Sequence, residues 1–391
     1  MKFNFKTTMI SCFVAYVVQA IVNNFIPLLF LTFQNNYGIP LSQITLLVTI
    51  NFGVQLLVDF LASKYVDKIG YRPCIVGAHI CSAAGLILLT VLPEIMSPFF
   101  GILISVITYA IGGGLIEVLI SPIMESCPTD NKETAMSLLH SFYCWGHVGV
   151  VLISTIFFQV AGIGTWKLLA CIWAAIPLVN AVIFSKTPIA SLISEGETGM
   201  TLKELFVNKT FWILMLMMLC AGASEQAVSQ WASVFAEQGL GISKAAGDLA
   251  GPMAFAICMG SARALYGKYG EKIDLDMFMK GSSLLCIGAY LLISLSPIPV
   301  LSLVGCAISG MAVGIMWPGT FSKAAVALKK GGTAMFAMLA LAGDLGCSSG
   351  PTLVGLVTEA AGGNMKMGIL AAVIFPAMLV VSLCVKIVKH D

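Results

Sequence analysis

Glu117 stands in GGGLIEVLISPIMESCP (112–128), inside an apolar stretch over 97–127 that is long enough to cross a membrane. A charge at that depth costs about 3 kcal/mol on insertion scales, so a carboxylate there needs a chemical reason. The next apolar stretch, 134–160, carries His140 and His147. A short connection centred near Asp130 makes the two stretches antiparallel, and counting back equally from it sets Glu117 level with Cys144. At 1.5 Å per residue the two histidines straddle that level within about 6 Å. They share a face with Cys144 at i, i+4 and i+7. A carboxylate beside one or two imidazoles can take up and release a proton. The same histidines could instead hydrogen-bond neighbouring helices, or bind a metal.

A second polar group lies in GASEQAVSQWASVFAEQ (222–238), where Glu225 and Ser229 form one i, i+4 stripe and Gln226 and Gln230 an adjacent one. Amides and carboxylates offer the directional donors and acceptors that a hydroxyl-rich solute needs, and Trp231 could stack on its apolar face. Proton coupling is expected at Glu117, His140, His147 and Glu225. Solute binding is expected at Gln19, Asn23, Asn24, Glu117, Ser121, Tyr143, Gln226, Gln230, Trp231, Trp317 and Asp344. For Asp344, inside Gly343-Asp344-Leu345-Gly346, a structural bond between close helices is an equal alternative. No lysine or arginine falls deep in an apolar stretch, which weighs against an organic anion and leaves sugars, polyols, nucleosides and cationic solutes.

Membrane helices must hold these groups in place. The 391 residues are 58% hydrophobic and 10% charged, against about 25% charged in a soluble domain. Apolar runs predict helices at about 8–33, 42–65, 73–93, 97–127, 134–160, 164–186, 209–237, 244–268, 276–296, 298–322, 331–357 and 364–388. The first run continues past any small-residue cleavage site and is read as an uncleaved helix. Twelve crossings put both termini on one side. All but three of the 21 lysines and arginines, Lys167, Lys244 and Lys366, fall there too, so that side is cytoplasmic. The twelve cysteines form no C-x-x-C pair and read as small packing residues. A net charge of +2 points to no nucleic-acid partner, nothing calls for a cofactor or metal, and a monomer is expected.

The longest polar connection, 187–208, separates an N-terminal six-helix bundle (1–186) from a C-terminal one (209–391). Echoes cross it: Gly38-Ile39-Pro40-Leu41-Ser42 and Gly239-Leu240-Gly241-Ile242-Ser243, Thr134-Ala135-Met136 and Thr333-Ala334-Met335, Ser121-Pro122 and Trp317-Pro318. Parallel six-helix repeats imply two bundles rocking about a midplane site. The third, sixth, ninth and twelfth helices hold nothing more polar in their interiors than His79 and Asn180, and read as scaffold.

Between the second and third helices lies SKYVDKIGYRP (63–73). It resembles the loop signature of the major facilitator superfamily, Gly-x-x-x-Asp-Arg/Lys-x-Gly-x-Arg/Lys; Asp67, Lys68, Gly70 and Arg72 match, and Ser63 replaces the first glycine. The resemblance covers the whole chain and implies an all-α fold of twelve transmembrane helices in two pseudo-symmetric bundles. It also implies a gating role for the loop, joined by Asp59 one turn away. Gly114-Leu115-Ile116-Glu117 with Ser121-Pro122 further resembles helix four of the fucose-permease-like sugar–proton symporters, where Asn-Pro follows the Glu. That resemblance implies that Glu117 carries a proton beside a sugar site. Asn23-Asn24 stand where that family has Asn-Asp, so the second acid is missing.

The expectation is a symporter of a sugar or polyol with protons, in the lipid bilayer of the cytoplasmic membrane. A proton-driven exporter of drugs or metabolites is the alternative. Superfamily exporters commonly carry a helix-four arginine and a Gly-Pro-rich fifth helix; both are missing here, and Gly-x-x-x-Gly-Pro (346–351) falls in the eleventh. An embedded enzyme is not expected, since there is no H-E-x-x-H helix and no loop long enough for a catalytic domain.

Overall fold

The structure, a computed structural model, describes residues 4–128, 132–189, 200, 202–269, 274–328 and 331–385. Within these, the side chains of 63–64, 67–68, 125, 132–137, 267–269, 325, 332–334 and 336 are outside the description. The fold is all-α, with twelve long helical segments. They are α1 (Phe5–Tyr37), α2 (Leu41–Ile69), α3 (Tyr71–Ile95), α4 (Pro98–Ser126), α5 (Lys132–Ala161) and α6 (Trp166–Lys186). Then follow α7 (Lys209–Gly239), α8 (244–269), α9 (Leu275–Leu295), α10 (299–327), α11 (Gly332–Ala360) and α12 (Met365–Cys384). Among the described residues, ten are long and apolar enough to cross a membrane; α8 and α11 complete the twelve.

Two compact units divide the chain, Met1–Ile193 and Ser194–Asp391. In unit 1 the packed pairs include α1 with α4, α5 and α6, α3 with α4 and α6, and α2 with α4. In unit 2 they include α7 with α10, α11 and α12, α9 with α10 and α12, and α8 with α10. Adding six to each label of the first set gives the second. The weak echoes in the sequence therefore correspond to one packing scheme used twice. Glycine makes the tightest of these contacts possible. A Cβ on Gly222, Gly346 or Gly350 would strike a backbone carbonyl of the facing helix, so α7 and α11 touch backbone to backbone.

The segments are less regular than apolar runs suggest. α1 is interrupted by a tight 3-10 turn at Ile26–Leu29, where Pro27 supplies no N–H to the carbonyl four residues back, that of Asn23. α7 is interrupted at Gln230–Trp231 and ends in a wide π turn over Phe235–Gly239. A second π turn, Leu249–Met253 around Pro252, lies in α8. α10 breaks at Gly314–Ile315, ahead of Pro318. So α1 and α7, each packed against the fourth, fifth and sixth helices of its own unit, are both discontinuous.

The connection at 187–208 is not wholly irregular. Leu202–Val207 forms a short helix whose Phe206 packs against Phe211 and Trp212 of α7, and Trp212 Nε1 donates to the Phe206 carbonyl at 2.8 Å. The expected scaffold helices do carry one buried polar link. Asn180 Nδ2 lies 2.9 Å from His79 Nε2 and donates to the Ser11 carbonyl at 3.0 Å, while His79 Nδ1 lies 2.8 Å from the Ile75 carbonyl. That bonding ties α3, α6 and α1 together, so His79 serves packing.

Candidate functional site

In unit 1 the polar side chains meet where three helices close on α4. Each of the three consecutive glycines of GGGLIE faces a different neighbour. Gly112 lies against α3 at Ala78 and Ser82. Gly113 lies against α1 at Gln19 and Val22, and Gly114 against the α2 backbone at Gln55. Absent side chains let α1, α2 and α3 approach together, one turn before Glu117.

Glu117 is half-buried and accepts a hydrogen bond from Gln19 Nε2 at 3.0 Å. The same amide nitrogen reaches Gln55 Oε1 at 3.0 Å, and Gln55 Nε2 donates to Asn23 Oδ1 at 2.9 Å. Asn51 Nδ2 lies a longer 3.4 Å from that oxygen. The result is an amide ladder running from α4 across α1 to α2. Gln19, Asn23, Asn51 and Gln55 are all buried, yet among the described residues Gln19 Oε1 and Asn51 Oδ1 receive no donor. A buried acceptor without a donor costs about 1–3 kcal/mol, so these two oxygens favour a further donor. Gln55 and Asn51 were polar in sequence but were not expected to bind; their spacing from Gln19 and Asn23 becomes visible only once α1 and α2 are antiparallel and adjacent.

Beside Glu117 and the two histidines, α1 contributes a further side chain. Because α1 lies against both α4 and α5, Tyr16 stands between them. Its hydroxyl is 3.3 Å from Ser121 Oγ on α4, and its ring lies 5.4 Å from that of His140. Asn24 Nδ2 donates to the Ala20 carbonyl at 2.9 Å and reaches the Tyr143 hydroxyl at 3.5 Å. His140 is exposed whereas His147 is buried, so the two do not share one environment despite their helical spacing.

The loop at 63–73 acts within unit 1. Gly70 adopts φ +98°, a conformation closed to other residues, and ends α2. Arg72 then donates to the carbonyls of Ser185 at 2.8 Å and Phe184 at 3.3 Å, capping the C-terminal end of α6. Asp59 is buried one turn from Gln55; the side chains of Asp67 and Lys68 lie outside the described residues.

Unit 2 corrects the expectation of a cavity without a deep cation. Glu225 Oε2 pairs with Arg263 Nη2 of α8 at 3.0 Å. Arg263 Nε also donates to the Gly314 carbonyl at 3.3 Å. That carbonyl is four residues before Pro318, so it is the acceptor the proline leaves without its helical N–H. One guanidinium therefore neutralises the α7 carboxylate and fills the gap at the α10 break. The position of Arg263 near the end of α8 suggests the cytoplasmic edge, but its head group turns inward to the middle of α7 and α10.

Around this pair, Gln226 Nε2 donates to Glu225 Oε1 at 3.3 Å and Gln230 Nε2 to Gln226 Oε1 at 2.9 Å. Trp231 is fully buried and donates from Nε1 to the Pro351 carbonyl at 2.9 Å, a packing role. Tyr290 of α9 donates to the Ser224 carbonyl at 2.5 Å. Trp317 is half-buried, with its ring so close over Gly343 that no Cβ would fit, and Asp344 is buried beside it. Among the described residues no three His, Cys, Asp or Glu side chains are placed to hold a metal ion.

The pattern of the Major Facilitator Superfamily matches residues 8–351. The chain belongs to that superfamily. Its fold is similar to that of a bacterial homologue of the human lysosomal transporter Spinster, inward-facing and occupied, with TM-score 0.77 at 16% identity over 96% of this chain and 95% of that one. It is also similar to the E. coli fucose:proton symporter FucP, with TM-score 0.68 at 16% identity over 97% of this chain and 98% of that one. At such identity the likeness is one of fold. No curated protein matches this superfamily member in sequence.

Proposed function

We propose that this superfamily member is a secondary active transporter that takes up a small polar solute, a sugar or polyol, together with protons. It works across the cytoplasmic membrane as a monomer with both termini inside, by alternating access. The observation that carries this reading is the ladder of buried amides joined to Glu117. Its acceptor oxygens without donors, Gln19 Oε1 and Asn51 Oδ1, suit the hydroxyl donors of a polyol. The interruption of α1 beside Asn23 and Asn24, and of α7 at Gln230, supports it, since discontinuous membrane helices supply binding groups at mid-depth.

Coupling follows from the cost of charge. A carrier with ionised Glu117 holds a charge at depth, and protonation removes it. Reorientation is then favoured for the protonated carrier, with solute bound at the ladder. The test uses purified protein in liposomes with an internal pH dye, offered sugars, polyols, nucleosides and amines. A sugar or polyol that acidifies the lumen supports symport; alkalinisation by an amine points to export. Glu117→Gln is expected to keep solute exchange and lose accumulation against a gradient. Full accumulation in that variant would sink the reading.

A further inference from the structure

We propose that Glu225 and Arg263 form a carboxylate-exchange site, so that unit 2 accepts a hydroxyl-rich carboxylate, an aldonate or uronate, along with one more proton than a neutral polyol. This rests on the proton-coupled reading above and names a substrate class within it.

Three features of the pair lead there. It is deep, joining the middle of α7 to the α10 break through bonds of 3.0 and 3.3 Å. It is not sealed, since the Arg263 side chain is 18% exposed and that of Glu225 9%. It also lies in a run of groups suited to hydroxyls, Gln226, Ser229 and Gln230, all buried on α7 within about one turn of Glu225. A guanidinium binds a carboxylate in a planar, charge-assisted geometry, so Arg263 can exchange the carboxylate of Glu225 for that of a solute.

Charge balance sets the condition for exchange. With the solute absent, Arg263 and ionised Glu225 sum to zero. When a solute carboxylate takes the place at Arg263, an ionised Glu225 would be left as a buried excess charge, which is strongly unfavourable. A proton bound to Glu225 restores the sum to zero. The proton goes to the carboxylate oxygen released by Arg263, and no bond other than the ion pair is exchanged. Other titratable groups on the surrounding helices are Tyr290 and Cys286 of α9, Cys306 of α10, and Asp344 and Cys347 of α11. Tyr290 is already engaged at the Ser224 carbonyl. A neutral polyol needs no exchange at Arg263 and moves with the Glu117 proton alone. Its aldonate moves with that proton and the Glu225 proton.

The experiment compares D-gluconate and D-glucuronate with D-glucitol and D-glucose in liposomes, reading labelled solute and internal pH together. The expected result is one additional proton per gluconate or glucuronate. Arg263→Gln should lower the ratio of gluconate to neutral-solute entry by about 100-fold, the loss of a charge-assisted pair. Because that variant leaves a buried acid and can misfold, the neutral pair Glu225→Gln with Arg263→Gln is measured beside it and should show the same loss. Glu225→Gln alone should still be heat-stabilised by gluconate while its proton count falls to that of the neutral solute. Equal proton counts in the unaltered protein, or discrimination surviving in the neutral pair, would overturn the inference. If neutral solutes acidify the lumen through Glu117 and neither acid enters, this inference fails and the proposed function stands. If no solute of either kind moves protons, both fail.

Discussion

The three glycines at 112–114 allow a prediction whose order is set by geometry alone. Replacing each in turn with alanine adds one Cβ against a different neighbour. At Gly112 that atom would lie 2.6 Å from Ser82 N and closer still to Ser82 Oγ and the Ala78 carbonyl. Ordinary carbon contacts begin near 3.5 Å, so α3 must move by about 1 Å. At Gly114 the Cβ would lie 3.0 Å from the Gln55 carbonyl and 3.1 Å from Gln55 Cα, again backbone, but needs only a few tenths of an ångström. At Gly113 it would meet the ends of two side chains, Gln19 Oε1 and Val22 Cγ1, at 3.1 Å, and these can turn away. Overpacking costs about 1–3 kcal/mol, while glycine to alanine within a helix returns about 1 kcal/mol. Gly112→Ala should therefore lose about 1–2 kcal/mol net, Gly114→Ala between zero and about 1, and Gly113→Ala nothing. Activity should follow a different order. Gly113→Ala displaces Gln19, the donor to Glu117, so it should impair uptake while remaining as heat-stable as the unaltered protein. Thermal unfolding in detergent, followed by a thiol-reactive dye that reports the buried cysteines, gives the first ranking; liposome uptake gives the second. A Gly112→Ala protein as stable as its parent, or a Gly113→Ala protein that is the least stable of the three, would refute the reasoning.

Two further substitutions probe single contacts. Gly70→Ala forces a side chain into φ +98° and should cost about 1–3 kcal/mol, more than Arg72→Ala, which removes a helix cap valued at about 1 kcal/mol. Unfolding midpoints in the reverse order would show that the turn does not need glycine. Trp231→Phe keeps an aromatic ring but removes the 2.9 Å bond to the Pro351 carbonyl and part of the buried indole volume, and should cost about 2–3 kcal/mol in the same assay. An unchanged midpoint would mean that carbonyl does not depend on the indole.

Helix number and approximate ends were legible because uncharged runs of about 20 residues have one stable solution in lipid. Two of the three basic residues placed opposite the others behave as end fasteners. Lys167 pairs with Glu94 at 2.5 Å across the ends of α6 and α3, and Lys366 donates to the Ser296 carbonyl at 2.5 Å across the ends of α12 and α9. The neighbours of each helix were not legible. Counting back from Asp130 could not show Tyr16 standing between α4 and α5. The role of the glycine triplet was not legible, because it depends on three partners from three other helices. Arg263 was misjudged for a different reason. Only six residues separate it from Tyr269, about 9 Å of helix, so its Cα position suggested the membrane edge. A long side chain decouples the charge from the Cα, and nothing local to SARALYGKYG (261–270) says which way it turns.

The repeated packing scheme makes the difference between the units informative. In both, a side chain on the second helix connects the first helix to the fourth. In unit 1 it is Gln55, whose side chain bonds Asn23 and Gln19 on α1 and lies against Gly113 of α4. In unit 2 it is Arg263, which bonds Glu225 on α7 and the Gly314 carbonyl of α10. The side chain with this linking role is thus a neutral amide in one unit and, two turns further along the second helix, a permanent cation in the other. A neutral amide can orient a hydroxyl-bearing solute or a carboxylic acid without fixing the charge of either. A guanidinium demands a negative partner at all times, from the protein or from the solute. If both units had carried the amide, a carboxylate solute would have no counter-charge; if both had carried the cation, a neutral solute would gain nothing by binding. On the proposed reading, carrying one of each would let a single carrier treat neutral and acidic polyols by different proton counts, so the number of protons per solute is a sharper test of that reading than affinity.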